Sequence, residues 1–135
     1  MSYKYLEHST DAFIEVKAKT LEEAFSVAGK SVVETIIDLK NIQEIEEKSI
    51  KVKGRNLLNL LYNWLEEIVT ITITDGFAIK KFTVNIKKNT EYEIVSKVSG
   101  EKLDLKKHNF KIEIKSPTFH LMEIKENDEI TMQYL

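Results

Sequence analysis

The strongest constraint on the fold is a strand pattern that runs directly into a capped helix, within residues 5–25. From 12 to 18 every second residue is apolar, which is the period of a strand with one buried face. Thr20 and Glu23 then form a capping box, in which each side chain satisfies a backbone N–H group at the start of a helix. The sequence therefore predicts a strand followed at once by a helix, with the residues before position 12 at the mouth of the strand.

Two amphipathic helices are predicted. Apolar residues recur on one face over residues 21–37, which predicts the first helix. Asn56 can cap a second helix, whose apolar stripe covers more than half of its circumference. The stripe includes Leu57, Leu61, Trp64 and Leu65. A stripe that wide indicates the central helix of the fold, with Trp64 in the core.

Strand patterns occupy much of the remaining chain. One strand is predicted over residues 43–53, ended by Gly54. The β-branched tail at 70–74 weakens the second helix, and Asp75-Gly76 signals a turn. Further short strands follow at 82–86, 92–98, 110–115, 118–125 and 130–135. The predicted fold class is α+β: a single domain over residues 1–135, with mixed, mostly antiparallel sheet layers and two helices packed on one face.

Composition excludes several classes of function. The net charge of −2 provides no global positive field to attract nucleic acid or an anionic membrane. Cysteine is absent, which excludes disulfides, thiolate catalysis and sulfur-ligated zinc. No apolar run approaches the ~20 residues of a membrane span, and Met1 leads into a strand pattern rather than a signal peptide. The expected location is cytoplasmic, with no membrane partner.

The familiar catalytic motifs are missing. The four glycines stand singly, so there is no phosphate-binding loop, and no His-Glu-x-x-His helix or Gly-x-Ser-x-Gly elbow occurs. The three histidines, His8, His108 and His120, fall outside any zinc spacing. A small metal-dependent hydrolase would have to bring Asp11 together with His8 or His120 in one pocket, and this alternative stays open.

Asp11 is the best candidate for a ligand-binding residue. Its carboxylate precedes a strand, and the neighbouring hydroxyl groups of Ser9 and Thr10 add oxygen atoms, which are the donors that hard cations such as Ca²⁺ or Mg²⁺ prefer. The alternative is a turn-forming aspartate that accepts backbone N–H bonds. One carboxylate is too little for tight binding, so other oxygen donors are expected from elsewhere in the fold.

A second candidate surface lies in the last third of the chain. Lys111, Glu113 and Lys115 fall on one face of a predicted strand, and His120 follows the only proline, Pro117. One interpretation is a solvated strand face; the other is a docking surface for an acidic or phosphate-bearing partner.

Several of these segments resemble the archease family. That family typically opens with a His-Thr-Ala-Asp motif and a Thr-Leu-Glu-Glu-Ala-Phe helix, and this chain has His8-Ser-Thr-Asp11 and the same helix at residues 20–25. The family's last third, typically Gly-Glu-x-Leu-Asp followed by Val-Lys-Ala-Val-Thr-Tyr-His, is similar to residues 100–104 and 111–121. The order and spacing along the whole chain carry the resemblance.

The resemblance implies an accessory protein rather than an enzyme. Archeases are cofactors of the tRNA-splicing RNA ligase, held to promote guanylylation of its active-site histidine and so multiple turnover. The implied partner is that ligase, with tRNA associated indirectly, and no residue of this chain is expected to be catalytic. By position, His8, Lys115 and His120 are candidates for facing the partner. A chaperone-like interaction module, which would expose a large apolar patch, is the other alternative.

The resemblance also implies a bound divalent cation, usually calcium. Its family ligands are the aspartate of the opening motif and residues at the extreme C-terminus. Asp11 matches the first ligand by position. The C-terminal residues 132–135 contain no acidic side chain, so the second ligand is expected to be the carbonyl or terminal carboxylate of Leu135.

Overall fold

The strands form two sheets, and the two helices contact strands of both. The computed structural model describes residues 2–6, 13–104, 107–108, 110–111, 122–126 and 130–134. The elements in chain order are β1 (Ser2–Leu6), β2 (Phe13–Ala18), α1 (Leu21–Ile36), β3 (Glu46–Gly54), α2 (Leu57–Val69), β4 (Phe77–Lys88), β5 (Tyr92–Lys102), β6 (Glu123–Glu126) and β7 (Ile130–Tyr134). A 3-10 turn spans Leu39–Asn41, and a π-helical turn spans Thr70–Thr74.

Every strand pair in the described part of the chain is antiparallel. One sheet has four strands in the order β1-β2-β7-β6, and the other has three in the order β3-β5-β4. The register between β4 and β5 shifts at a bulge between Ile79 and Lys81. Gly100 lies opposite this bulge, where an added Cβ would come within 1.9 Å of the carbonyl oxygen of Ala78. Only glycine fits there without moving the backbone.

Helix α1 confirms the predicted N-cap at Thr20, whose hydroxyl oxygen accepts a hydrogen bond from the N–H of Glu23 at 3.1 Å. The reciprocal bond differs from the predicted capping box, because the Glu23 carboxylate accepts from the backbone N–H of Lys19, at 3.4 Å, one residue before the cap. The helix ends at Ile36, one residue before the predicted end, although the N–H of Ile37 still bonds to the carbonyl of Val33. α1 packs against β4 of one sheet and against β1, β2 and β7 of the other.

Helix α2 confirms the predicted cap and core position. The Asn56 side chain accepts a hydrogen bond from the N–H of Asn59 at 2.8 Å. Trp64 is fully buried, and its indole N–H donates to the carbonyl of Phe25 in α1 at 2.8 Å. Leu57, which the stripe placed in the core, is only half-buried because it lies in the first turn of the helix.

The β-branched tail of α2 remains helical. The pattern at 70–74 predicted a weakened helix, and the chain continues there as the π-helical turn. Ile71 and Thr72 are buried in it, so burial overrides the low helix propensity of β-branched residues. The turn signal at Asp75-Gly76 is confirmed, because Gly76 has φ +64°, a conformation that favours glycine.

Most of the predicted strands are right in position but inaccurate in length, and the strand predicted at 110–115 is wrong at its first two residues. β3 begins at Glu46 rather than at 43, whereas β4 and β5 are much longer than the patterns indicated, with 12 and 11 residues. Phe110 and Lys111 lie outside any strand, and 112–121 are outside the described residues. β6 and β7 correspond to the two last predicted strands.

The buried apolar side chains of both sheets and both helices form a contiguous core around Trp64, Phe25 and Phe77. The predicted fold class, two helices with antiparallel sheets, is confirmed. None of the helices in the described ranges is long and apolar enough to cross a membrane.

Candidate functional site

The four-stranded sheet brings together strand ends that are distant in sequence. At one end of it, Leu6 of β1 is paired with Phe13 of β2. Next to this pair, Ile14 of β2 is paired with Tyr134 of β7. Neighbouring strands in a sheet lie about 4.8 Å apart. The end of β1, the start of β2 and the end of β7 are therefore adjacent.

The fourth strand, β6, begins at the same end of the sheet. Glu123, the first residue of β6, is paired with Gln133 of β7. The chain therefore leaves or enters the sheet at this one end in three places. Residues 7–12 connect β1 to β2, residue 135 follows β7, and segment 112–121 leads through Met122 into β6. We call the end formed by Leu6, Phe13, Glu123 and Tyr134 the site end.

All the predicted site residues belong to segments attached to the site end. His8, Asp11, Lys115, His120 and Leu135 themselves lie outside the described residues. Within the described ranges, no group of three His, Asp or Glu side chains is arranged to hold a metal ion. The cation site and the partner-facing roles therefore stay predictions, and the described strands bear only on where their segments begin and end.

Sequence reasoning missed a buried polar cluster beside the C-terminal end of α1. His108 is fully buried, and its Nδ1 accepts a hydrogen bond from the backbone N–H of Asp104 at 2.9 Å. An accepting Nδ1 assigns the ring proton of the neutral imidazole to Nε2. That nitrogen faces the carboxylate of Glu101 at 3.5 Å, too far for a good hydrogen bond, and it has no hydrogen-bond partner among the residues that the structure describes.

Glu101 is held as a carboxylate by two stronger contacts. Its Oε1 accepts a hydrogen bond from the ammonium of Lys107 at 2.5 Å, and its Oε2 accepts one from the backbone N–H of Gln43. The Lys107 bond and then the Gln43 bond lower the pKa of Glu101 to about 2, although burial acts in the opposite direction. The cluster thus joins the end of β5 to the chain that precedes β3.

The same region is fastened to the C-terminal end of α1. The N–H of Asp38 donates to the carbonyl of His108, and the N–H of Lys111 donates to the carbonyl of Ile36, both at 2.7 Å. The Lys111 ammonium donates to the carbonyl of Glu34 at 3.0 Å. A cation is stabilising there because the C-terminal end of a helix carries partial negative charge. The side chain of Lys111 is therefore engaged with the helix.

These contacts fix the start of the segment that carries Lys115 and His120. His108 is buried and Glu101 is paired with Lys107, so we infer that both hold the chain in place around residues 107–111. The spacing of Glu101, Asp104 and His108 was visible in the sequence. The structural role of these residues depends on backbone hydrogen bonds to the end of α1, which their spacing in the sequence does not reveal.

Comparison with known proteins identifies relatives of the whole chain. The model of the Archease protein family matches residues 3–135. An archease of Pyrococcus abyssi is 35% identical over 123 residues, which is 90% of this chain and 87% of the relative. An archease of Methanosarcina barkeri is 37% identical over 124 residues, which is 90% of this chain and 85% of the relative.

Solved structures share the fold. The solution structure of a Methanobacterium thermoautotrophicum protein superposes with a TM-score of 0.83 at 28% identity, covering 98% of this chain and 95% of that one. A crystal structure from Thermotoga maritima, described as an archease and possible chaperone, gives a TM-score of 0.62 at 20% identity, covering 98% of this chain and 94% of that one. The second likeness concerns the fold alone.

Proposed function

This chain belongs to the archease family, and from that premise we propose that it is an accessory protein of the tRNA-splicing RNA ligase. The observation that carries the proposal is the extent of the family match, which spans residues 3–135 and so includes every predicted site residue. In this proposal the chain acts in the cytoplasm, promotes guanylylation of the ligase and supports its multiple turnover. It makes no covalent intermediate of its own.

Two physical effects allow a small protein to accelerate another protein's chemistry. It can bind one conformation of the ligase preferentially and so raise the population of that conformation. It can also bring fixed charge to the nucleotide-transfer site, where negative charge develops in the transition state. Both effects need a surface of defined shape. Adjacent strand ends held by main-chain hydrogen bonds supply a firm base for one at the site end.

We propose that Asp11 and Leu135 contribute oxygen ligands to one divalent cation, calcium. Asp11 is two residues before Phe13, and Leu135 follows Tyr134 directly. The pairing of Ile14 with Tyr134 keeps these two parts of the chain on neighbouring strands, which supports a shared ion. A carboxylate and a carbonyl are donors of the type that Ca²⁺ accepts, although more are needed to complete its shell. When bound, the ion would supply positive charge beside a phosphate group.

The partner-facing residues of the proposal are His8, Lys115 and His120. Their segments join the same end of the sheet as Asp11, so one docking event could engage all of them. The association with tRNA is indirect in this proposal and passes through the ligase. The net charge of −2 agrees with a chain that lacks a global field for RNA.

The experiment is multiple-turnover RNA ligation by the cognate ligase, with and without this protein. Substoichiometric amounts should raise the turnover number, whereas the protein alone should neither join RNA ends nor bind GTP. A ligase whose guanylylated histidine is substituted should stay inactive in both conditions. Ligation or GTP hydrolysis by the purified chain, or an unchanged turnover number, would contradict the proposal.

A further inference from the structure

A cleft of about 420 Å³ opens between β1, α1 and β4. It lies at the part of β1 farthest from the site end, because its lining includes Ser2 and Tyr3, and Ser2 is paired with Lys17 rather than with the start of β2. We call it the edge cleft. Its lining includes Tyr3, Ser26, Val27, Lys30, Lys81 and Phe82.

The floor of the edge cleft is apolar and rigid. Val27 of α1 is buried, and Phe82 of β4 is half-buried beside it. The Phe82 ring packs edge-on against Trp64, with ring centroids 6.0 Å apart. It also lies so close to α1 that a Cβ on Gly29 would approach its ring to 2.8 Å. The ring is therefore held in place, and the floor offers a preformed apolar surface.

The walls of the edge cleft are positively charged. Lys30 and Lys81 are exposed, and neither makes an ion pair or side-chain hydrogen bond within the described part of the chain. Lys80 adds a third positive charge, although its ammonium donates to the carbonyl of Leu39 at 3.1 Å. No aspartate or glutamate is among the described residues that line the cleft. In a chain of net charge −2, this local excess of cations favours an anionic occupant.

The edge cleft is bordered by two sheet edges. Among the described strands, β1 is terminal in one sheet and β4 is terminal in the other. A terminal strand presents unpaired backbone N–H and C=O groups, which can hydrogen-bond to an added extended segment. Lysines on such an edge discourage pairing with neutral or basic strands but attract acidic ones. The lysines thus make the edge selective for acidic segments rather than unable to bind any segment.

We propose that the edge cleft binds an extended, acidic segment of a protein partner along the edge of β4. The segment's carboxylates would meet Lys30 and Lys81, and its alternate apolar side chains would rest on Val27 and Phe82, as expected for an extended chain with a period of two. The inference goes beyond the proposed ligase function. It concerns another part of the molecule and stands whether or not the ligase is the partner.

The test selects random linear peptides, displayed on phage, against the wild-type protein. The selected peptides should be rich in Asp and Glu alternating with apolar residues. Fluorescence anisotropy should then show about tenfold weaker binding, or worse, to Lys30→Glu/Lys81→Glu. The matched control, Lys51→Glu/Lys97→Glu, reverses two exposed lysines of β3 and β5 that do not line the cleft, and should retain affinity within about twofold.

Amide chemical shifts locate the bound peptide, and perturbations should centre on Val27 and Phe82. Melting curves should match the wild type; if a Glu variant unfolds, Lys30→Gln/Lys81→Gln replaces it and should also weaken binding. The proposal is overturned if no peptide is selected, if the selected peptides are not acidic, or if both double variants lose affinity equally. It is also overturned if the shifts fall at the site end, or if single-stranded oligouridine binds the cleft more tightly than the peptides.

Discussion

Glu101 keeps its charge although its side chain is buried, because two donors hold it, the ammonium of Lys107 and the backbone N–H of Gln43. Both bonds favour the carboxylate over the neutral acid, so the pKa in the folded protein is about 2, below the ordinary value of 4.5. Because the pKa of Glu101 is lower in the folded protein than in the unfolded chain, its carboxylate gives its full stabilisation at pH values above the unfolded-state pKa. That contribution is lost as the pH falls through the folded value.

The pH dependence of stability tests this interpretation. The melting temperature of the wild type should decrease as the pH is lowered from about 4.5 to about 2, the window set by the shifted pKa of Glu101. Glu101→Gln should have a lower midpoint at neutral pH and a flatter dependence across that window. Glu93→Gln, in the partly exposed pair with Lys53 at 3.9 Å, should retain the wild-type dependence because Glu101 is intact. Equal slopes for wild type and Glu101→Gln would contradict the role of Glu101.

Asp11 gives the sharpest prediction about function at a single residue. If it serves the ligase, Asp11→Ala should abolish stimulation of ligation and leave the melting midpoint almost unchanged. Asp11→Asn should behave in the same way, because an amide keeps most turn hydrogen bonds but lacks the charge that a hard cation prefers. Asp75→Asn, at the turn before β4, is the control and should stimulate normally.

The competing interpretation of Asp11 predicts the opposite pattern. A turn-forming aspartate replaced by alanine should lose about 0.5–2 kcal/mol of stability, by analogy with a capping side chain, and stimulation should persist. A stable Asp11→Asn protein that stimulates fully would exclude the functional role.

At the scale of elements, one side chain of α2, Trp64, contacts both α1 and the three-stranded sheet. Trp64 donates to the Phe25 carbonyl of α1 and packs edge-on against Phe82 of β4. Trp64→Ala should therefore reduce the free energy of unfolding by about 3–5 kcal/mol, measured in denaturant melts. Glu66→Ala, at an exposed position of the same helix, should change it by no more than about 0.5 kcal/mol. A loss below about 1 kcal/mol for Trp64→Ala would refute its place in the core.

The elements that the sequence predicted best depend on local signals. The cap at Thr20 and the cap at Asn56 involve residues within one helical turn, so the start of each helix could be located from the sequence. The lengths of β4 and β5 could not, because they depend on pairing between the two strands across the Lys88–Tyr92 hairpin. Alternation marks where a strand is half-buried and says little about where its pairing ends.

The candidate site was predictable only in part, for a similar reason. The motif around Asp11 and the spacing of Glu101 and His108 are sequence features. The backbone hydrogen bonds that hold the chain around His108 run from Asp38 to His108 and from Lys111 to Ile36. No sequence period relates these positions. The order of strands that brings the attachment points of the site segments together is likewise a product of long-range pairing.

At the scale of the whole molecule, the two ends of the four-stranded sheet differ in what they carry. At the site end, four neighbouring strands span roughly 14 Å, from three inter-strand spacings of about 4.8 Å. The opposite end holds Ser2, which is paired with Lys17, and the Glu126–Ile130 pair. A functional surface at the site end and the edge cleft beside Ser2 would therefore let one small protein contact two partners, or two parts of one partner.

The sheet topology makes a prediction about cation binding that separates the two ends. Leu135→Asp adds a carboxylate to the chain that follows β7, beside the strand that follows Asp11, so it should lower the calcium dissociation constant by about tenfold in calorimetric titrations. Ser2→Asp adds the same charge at the opposite end and should leave the constant unchanged. If both carboxylates bind one ion, Asp11→Asn should remove the gain from Leu135→Asp, as a double-mutant cycle would reveal. Equal gains from Leu135→Asp and Ser2→Asp would mean that calcium responds only to net charge, and a gain that survives Asp11→Asn would place any ion away from Asp11.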